Sequence, residues 1–218
     1  MIRNESLTEI SDGRLYGSRD LVRADTLGCK GCSACCHEVD DTIVLDPYDL
    51  WQLKKAGEGD FADLMANGRI ELGVVDGLIQ PHLMVKKDSG CSFLSPEGRC
   101  TVHDFRPGFC RMFPLGRYYH DGTFSYIIQK DQCRQSHRAK IRVDRWLGIP
   151  DLKKYEEYIL TWHTYLRELH CYLTGHGDEQ RDLSMNLLTM FFTQPYDPED
   201  FYGDFSRRMV LAGKPGAG

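Results

Sequence analysis

Apolar residues recur between positions 152 and 173 at alternating steps of three and four: Leu152, Tyr155, Ile159, Trp162, Leu166, Leu169 and Leu173. That period is the one-sided stripe of a long amphipathic helix. Pro150-Asp151 predicts its start and Gly175-His176-Gly177 its end. A second helix is predicted over 182–193, with Pro195 beyond it, and a third over 199–211, begun by Asp197-Pro198. The tail 214–218 reads as disordered. Before Asp144 the apolar runs are short and the pattern is mixed. Residues 1–27 predict loop or a short helix, and Thr42-Ile43-Val44-Leu45 a β-branched strand. Asp46-Pro47 opens a helix, with Asp46 as N-cap, Pro47 at the first position and Asp49 two residues on; Gly57 and Gly59 end it. A short helix follows over 61–67. Strands are predicted over 70–75 and 78–86 about the turn Asp76-Gly77, and over 115–119 and 124–129 about residues 120–123. The stretch 106–114 reads as loop, because Pro107 and Pro114 oppose a regular helix through it.

The expected fold class is therefore α+β. A small cysteine-rich domain of short strands and loops (1–143) is covered by a C-terminal helical extension (144–212), with the tail at 213–218. The chain has 218 residues, 41% hydrophobic and 27% charged, with a formal net charge of −5. Its mean hydropathy is −0.44 and its pI is near 5.9. This acidic balance speaks against a nucleic-acid or anionic-membrane binder. No apolar run is long enough to span a bilayer, and residues 1–27 contain no apolar leader core. The expected location is the cytoplasm.

That location changes how the nine cysteines read. In a reducing compartment such density points to metal binding or redox chemistry rather than to disulfides. Four thiols fall within eight residues, Cys29, Cys32, Cys35 and Cys36, as CxxCxxCC on a loop of Gly and small side chains. Cys91, Cys100, Cys110 and Cys133 follow, carried on loops between short strands. Soft thiolates in this number suit two chemistries. One or two [4Fe–4S] clusters would use the CxxCxxC spacing with a ligand from far along the chain. Zn²⁺ would take thiolates four at a time in closed sites. The remote cysteines contain no second CxxC and no HxxxH, so spacing leans to iron–sulfur. The adjacent pair Cys35-Cys36 is expected to point two ways, serving different metals or leaving one thiol unligated. Arg106 and Arg111 flank Cys110 and are the candidates to offset the negative charge of a thiolate site. His37 and His103 each follow a cysteine, but lone histidines are seldom ligands. Cys171, inside the long helix, reads as a buried inert thiol.

CxxCxxCC at 29–36, Gly90-Cys91-xx-Leu94, Gly98-x-Cys100 and Arg106-Pro107-xx-Cys110-Arg111-x-Phe113-Pro114 together resemble the bacterial CxxCxxCC cysteine-cluster family, also called the YkgJ family. The resemblance covers about residues 27–135. It implies zinc or iron chelation by the cysteines and no particular reaction. The cluster is also similar to the cysteine region of flagellin lysine N-methylases, which implies an iron–sulfur cofactor and raises methyl transfer as a remote reading. Against an enzyme stands the lack of a Walker loop, HExxH, GxSxG or glycine-rich nucleotide turn. The expected function is thus a metal-binding protein in electron transfer, sensing or metal handling. A zinc-stabilised interaction module with an unidentified protein partner is the alternative.

Overall fold

Among the described residues, four separate antiparallel strand pairs carry the N-terminal two thirds of the chain, and helices carry the rest. The computed structural model describes residues 6–26, 32–38, 43–87, 89–135 and 138–213. In chain order the elements begin with α1 (Leu7–Ile10), β1 (Leu21–Asp25), α2 (Ala34–His37), α3 (Pro47–Lys55) and α4 (Phe61–Ala66). Strands β2 (Ile70–Val75), β3 (Leu78–Leu83), β4 (Val85–Lys86) and β5 (Gly90–Cys91) follow. Then come α5 (Gly108–Met112), β6 (Leu115–His120), β7 (Thr123–Ile128), β8 (Ala139–Arg142) and α6 (Val143–Leu147). The long α7 (Leu152–Leu173), α8 (Gln180–Leu188) and α9 (Phe201–Ala212) complete the chain. The fold is α+β, as the sequence predicts. Among the described residues no helix is long and apolar enough to cross a membrane.

Three of the pairs, β2–β3, β4–β5 and β6–β7, are local. Asp76-Gly77 and Asp121-Gly122 turn the first and last of these hairpins, all four residues at positive φ as such tight turns require. The fourth pair, β1–β8, ties the two ends of the cysteine-bearing half together, Leu21 opposite Arg142 and Val22 opposite Ile141. Its first strand lies where the sequence predicts only loop or helix. The predicted return strand over 78–86 is broken at Met84, where the chain leaves β2 to pair β4 with β5. Over 42–45 the described residues bridge to β3 without forming a named strand. Leu45 N donates to the Pro81 carbonyl (2.8 Å) and Leu83 N to that of Ile43 (3.0 Å), while Thr42 lies outside the described residues.

The stripe on α7 does bury, through Tyr155, Tyr158, Ile159, Trp162, Tyr165 and Leu169. Aromatic rings dominate what it meets. Tyr158 stands edge-on to Phe205 (4.7 Å between centroids, 81° between planes), and Trp162 packs on Phe191 at 5.0 Å. Such pairs add roughly 0.5–1.5 kcal/mol each beyond the area they bury. Cys171 is exposed, not buried. Two residues past buried Leu169 it is about 200° further round the helix, on the solvent side. Asp151 precedes α7 at φ 52 without capping it, and pairs instead with Lys154 (3.0 Å). The second predicted helix is α8 continued by a π turn at Thr189–Thr193. The buried Arg208 guanidinium collects the freed carbonyls of Met190 (2.8 Å), Gln194 (2.9 Å) and Pro195 (2.8 Å). Residues 214–218 lie outside the described residues.

The start of α3 joins the two halves. Asp46 Oδ1 accepts from Asp49 N (3.0 Å) and Asp49 Oδ2 accepts from Asp46 N (3.0 Å), a reciprocal cap. Asp49 has one oxygen left, and Oδ1 accepts from Gly108 N at 2.7 Å. Tyr48 N donates to the Tyr158 hydroxyl on α7 (3.1 Å). Gly108 itself touches α7, for a Cβ there would run into the Tyr155 hydroxyl. The stretch 106–114, predicted as loop, thus contains the short helix α5. Its prolines lie outside the helical turn, Pro107 as the N-cap and Pro114 after the C-cap Phe113, so neither disrupts it.

Asp49→Ala leaves two buried backbone N–H groups without an acceptor, at about 1–3 kcal/mol each. Chemical denaturation is expected to show a loss of roughly 2–5 kcal/mol. Asp49→Asn, which keeps an oxygen for Gly108, should lose clearly less. Equal stability of Asp49→Ala and the parent would show that this buried acid does not hold the two helices.

Candidate metal centre

Six of the predicted thiols, Cys32, Cys35, Cys36, Cys91, Cys100 and Cys110, line one cleft of about 1520 Å³. They come from four separate segments, so the fold and not the local sequence gathers them. Cys32 precedes α2, and Cys35 and Cys36 lie on it. The helix is a single turn in which the Ser33 carbonyl accepts from Cys36 N (2.9 Å) and His37 N (3.2 Å).

Cys91 reaches α2 because its neighbour is glycine. Gly90 has φ +79, and a Cβ there would lie 2.5 Å from the Cys36 carbonyl oxygen and 3.1 Å from His37 Cα. A side chain would be both strained and blocked, so Gly90 is what lets β5 lie against α2. Cys100 returns beside Leu94 after the turn over residues 95–98. Ser95 N donates to the Arg99 carbonyl (2.8 Å), and Thr101 N to that of Phe93 (2.9 Å). Cys110 stands in the middle of α5, whose first amide is held by Asp49.

The electrostatics record how close these thiols are. Burial raises the pKa of Cys91, Cys100 and Cys110, and the neighbouring thiolates raise each further. Cys110 is raised most, with Asp49 adding to the repulsion from Cys91. Cys35 alone is lowered, to about 7, chiefly by the hydrogen bond from Cys36 and then by backbone bonding and the Arg106 charge. The donor Cys36 is raised by that same bond, by burial and by the charges of Cys35, Cys91 and Cys110. Burial and mutual repulsion therefore favour the protonated forms of Cys36, Cys91, Cys100 and Cys110. A soft divalent ion or cluster would deprotonate and bind the thiols, and the donor set fits such a group. Among the described residues, no three Cys, His, Asp or Glu side chains already stand as a formed metal site. The convergence is that of a cleft rather than of a closed coordination sphere.

Other predicted residues divide. Cys29 lies outside the described residues. Cys133 is half-buried and is not part of the cleft lining. Cys35 and Cys36 lie on one helical turn, both line the cleft, and Cys36 donates a hydrogen bond to Cys35. Arg106 lines the cleft and donates to the His103 carbonyl (2.7 Å). Arg111 does not line it, and its guanidinium is bound to the Asp104 carbonyl, bracing the turn His103–Phe105. His103 lines the cleft with its pKa lowered, first by burial and then by Arg106. Phe109, Met112 and Phe113 form an apolar flank. Asp49 is the site residue that sequence reasoning missed. Its spacing from Asp46 signalled a helix start, and nothing local signalled its third bond.

No curated protein and no solved structure matches the chain significantly. A family model does match, over residues 28–137, half of the chain, and its description is CxxCxxCC, "Putative zinc- or iron-chelating domain". That span includes seven of the eight cysteines described here and all six that meet in the cleft. By this match the chain belongs to the CxxCxxCC family of zinc- or iron-chelating domains.

Proposed function

We propose that this protein uses its clustered thiols to hold an iron–sulfur centre and serves as a redox protein rather than as a chelator of single ions. The family's description supports metal chelation. The finer reading is supported by one observation, that six thiols from four segments line one cleft. Two closed Zn²⁺ sites would need two separate sets of four. A polynuclear cluster takes thiolates arriving at one place from distant parts of the chain. Cys32, Cys35, Cys91, Cys100 and Cys110 are the proposed ligand pool, with Cys36 as donor to Cys35 or as a ligand itself, and Cys29 joining from the same loop. Such a centre supplies one-electron chemistry. The chain's own part is to gather the thiols, shield them with Phe109, Met112 and Phe113, and set the local charge through Arg106.

Protein purified without oxygen should be brown and contain iron with acid-labile sulfide by elemental analysis and visible spectroscopy. Colourless protein with stoichiometric zinc would replace this reading by the structural-zinc one. Cys32→Ser and Cys110→Ser should each lower metal content and thermal stability together, while exposed Cys171→Ser should change neither. Full metal retention in both ligand variants would remove those thiols from the set. Gly90→Ala should also lose metal, with every thiol intact, because the added Cβ meets the Cys36 carbonyl; unchanged loading would show that the β5–α2 approach is unimportant. In a redox titration Arg106→Ala should shift the midpoint downward and Arg111→Ala should leave it in place. The reverse order would reassign the charge-setting arginine.

A further inference from the structure

One strand edge is left open. In the β2–β3 hairpin Ile70 faces Leu83, Leu72 faces Pro81 and Val74 faces Ile79. Ile79 N donates to the Ser184 hydroxyl on α8 (3.1 Å) and Leu83 N to the Ile43 carbonyl (3.0 Å), while the Pro81 carbonyl accepts from Leu45 N (2.8 Å). These three residues of β3 therefore turn their backbone groups away from β2. In an antiparallel ladder the residues opposite them do the same, so Ile70, Leu72 and Val74 present theirs on the outer edge of β2. Ile70 is buried, and beside it Arg69 N donates to the Leu64 carbonyl of α4 (2.9 Å). Leu72 and Val74 make no hydrogen bond from that edge among the described residues.

The side chains at this edge are open as well, Leu72 being 42% and Val74 65% exposed. Unpaired edges are ordinarily blunted by proline, lysine or a bulge. β2 contains none of these. Its six residues pair with β3 in an unbroken register, and Glu71 is its one charged residue. By contrast β1 has a bulge between Arg23 and Asp25, and β3 has Pro81.

We propose that the β2 edge is a dimer interface, at which a second copy of this chain lays its own β2 antiparallel across a two-fold axis at Gly73. Leu72 of each copy then lies opposite Val74 of the other, each pair exchanging both of its N–H···O bonds. The strand suits itself as a partner. Glycine on the axis puts no side chain between the backbones. In this register the two Glu71 residues stand roughly 13 Å apart along the strands, beyond the Debye length at physiological salt, so like charges do not meet. The outer edge of β3 is already engaged, so pairing closes at two copies and does not grow into a fibre. An edge with two exposed apolar residues per copy falls short of the about 1,200 Å² of a standard interface, which makes the dimer weak and reversible. The interface uses no thiol and stands or falls separately from the iron–sulfur reading.

The test is sedimentation equilibrium of the full-length protein, with a thiol reductant to keep exposed Cys171 from cross-linking. We expect the mass to rise from 25.0 kDa towards twice that value as the protein is concentrated to about 1 mM, the weak end of the affinity scale. Amide hydrogen exchange at Leu72 and Val74 should slow over the same range. Val74→Lys should hold the protein at the monomer mass. Val74→Pro, which removes an N–H that only the dimer uses, should do so without adding charge; if that variant fails to fold, Val74→Lys decides. A parent that stays monomeric throughout would overturn the proposal. So would a mass that runs past the dimer, unchanged exchange at both amides, or a dimer that survives Val74→Lys.

Discussion

Thiols brought together in a half-buried cleft repel one another as soon as they ionise, and everything around them is arranged against that repulsion. Cys91, Cys100 and Cys110 are held towards their protonated forms by burial and by each other, while Cys35 is eased in the opposite direction by Cys36 and Arg106. A cation resolves the conflict at once, because it converts mutual repulsion into shared attraction and releases the protons. Metal binding and folding of this region are then parts of one free energy. Neither β5, two residues long, nor α2, four residues long, contains enough hydrogen bonding to place a thiol unaided. Gly90 lets the two approach, because a Cβ there would meet the Cys36 carbonyl.

Asp49 does the corresponding work on the other side of the cleft. A buried carboxylate is expensive, and burial followed by the charge of Asp46 raises its pKa well above the ordinary range. It is tolerated because its oxygens accept the amides of both Asp46 and Gly108. One side chain thus starts α3 and, through Gly108, sets the first turn of α5, which carries Cys110, beside Tyr155 of α7. The helical part of the chain is in this sense the support of the thiol centre, although it contributes no thiol to the cleft.

Much of this was legible in the sequence where a single local rule decides the outcome. The α7 stripe, the Asp46-Pro47 cap and the two Asp-Gly hairpins each depend on residues within a few positions of one another. The misreadings are instructive in the same terms. β1 is a strand only because β8 pairs with it, and no period in residues 1–27 announces a partner beyond position 138. α5 was hidden because two prolines mark boundaries as well as breaks. Cys171 was placed near the stripe by adjacency, whereas a helix turns by 100° per residue and carries it to the solvent side. The motif CxxCxxCC announced thiol chemistry, but that Cys35 and Cys36 face one cleft, and that Arg106 rather than Arg111 reaches it, are consequences of tertiary folding.

The charge of the cleft completes the picture. The chain is acidic as a whole, at −5. Yet Arg99, Arg106, Arg117, Lys130, Arg145 and Arg167 line this one cleft, against the carboxylates Glu9, Asp25 and Glu38. A field of that sign on an acidic protein has to face something negative. Thiolates around a divalent ion or an oxidised cluster are net negative and account for the cations nearest to them, Arg106 above all. Arg117 is accounted for otherwise, since the carboxylate of Asp46 attracts it and the Tyr155 hydroxyl accepts from its Nη2.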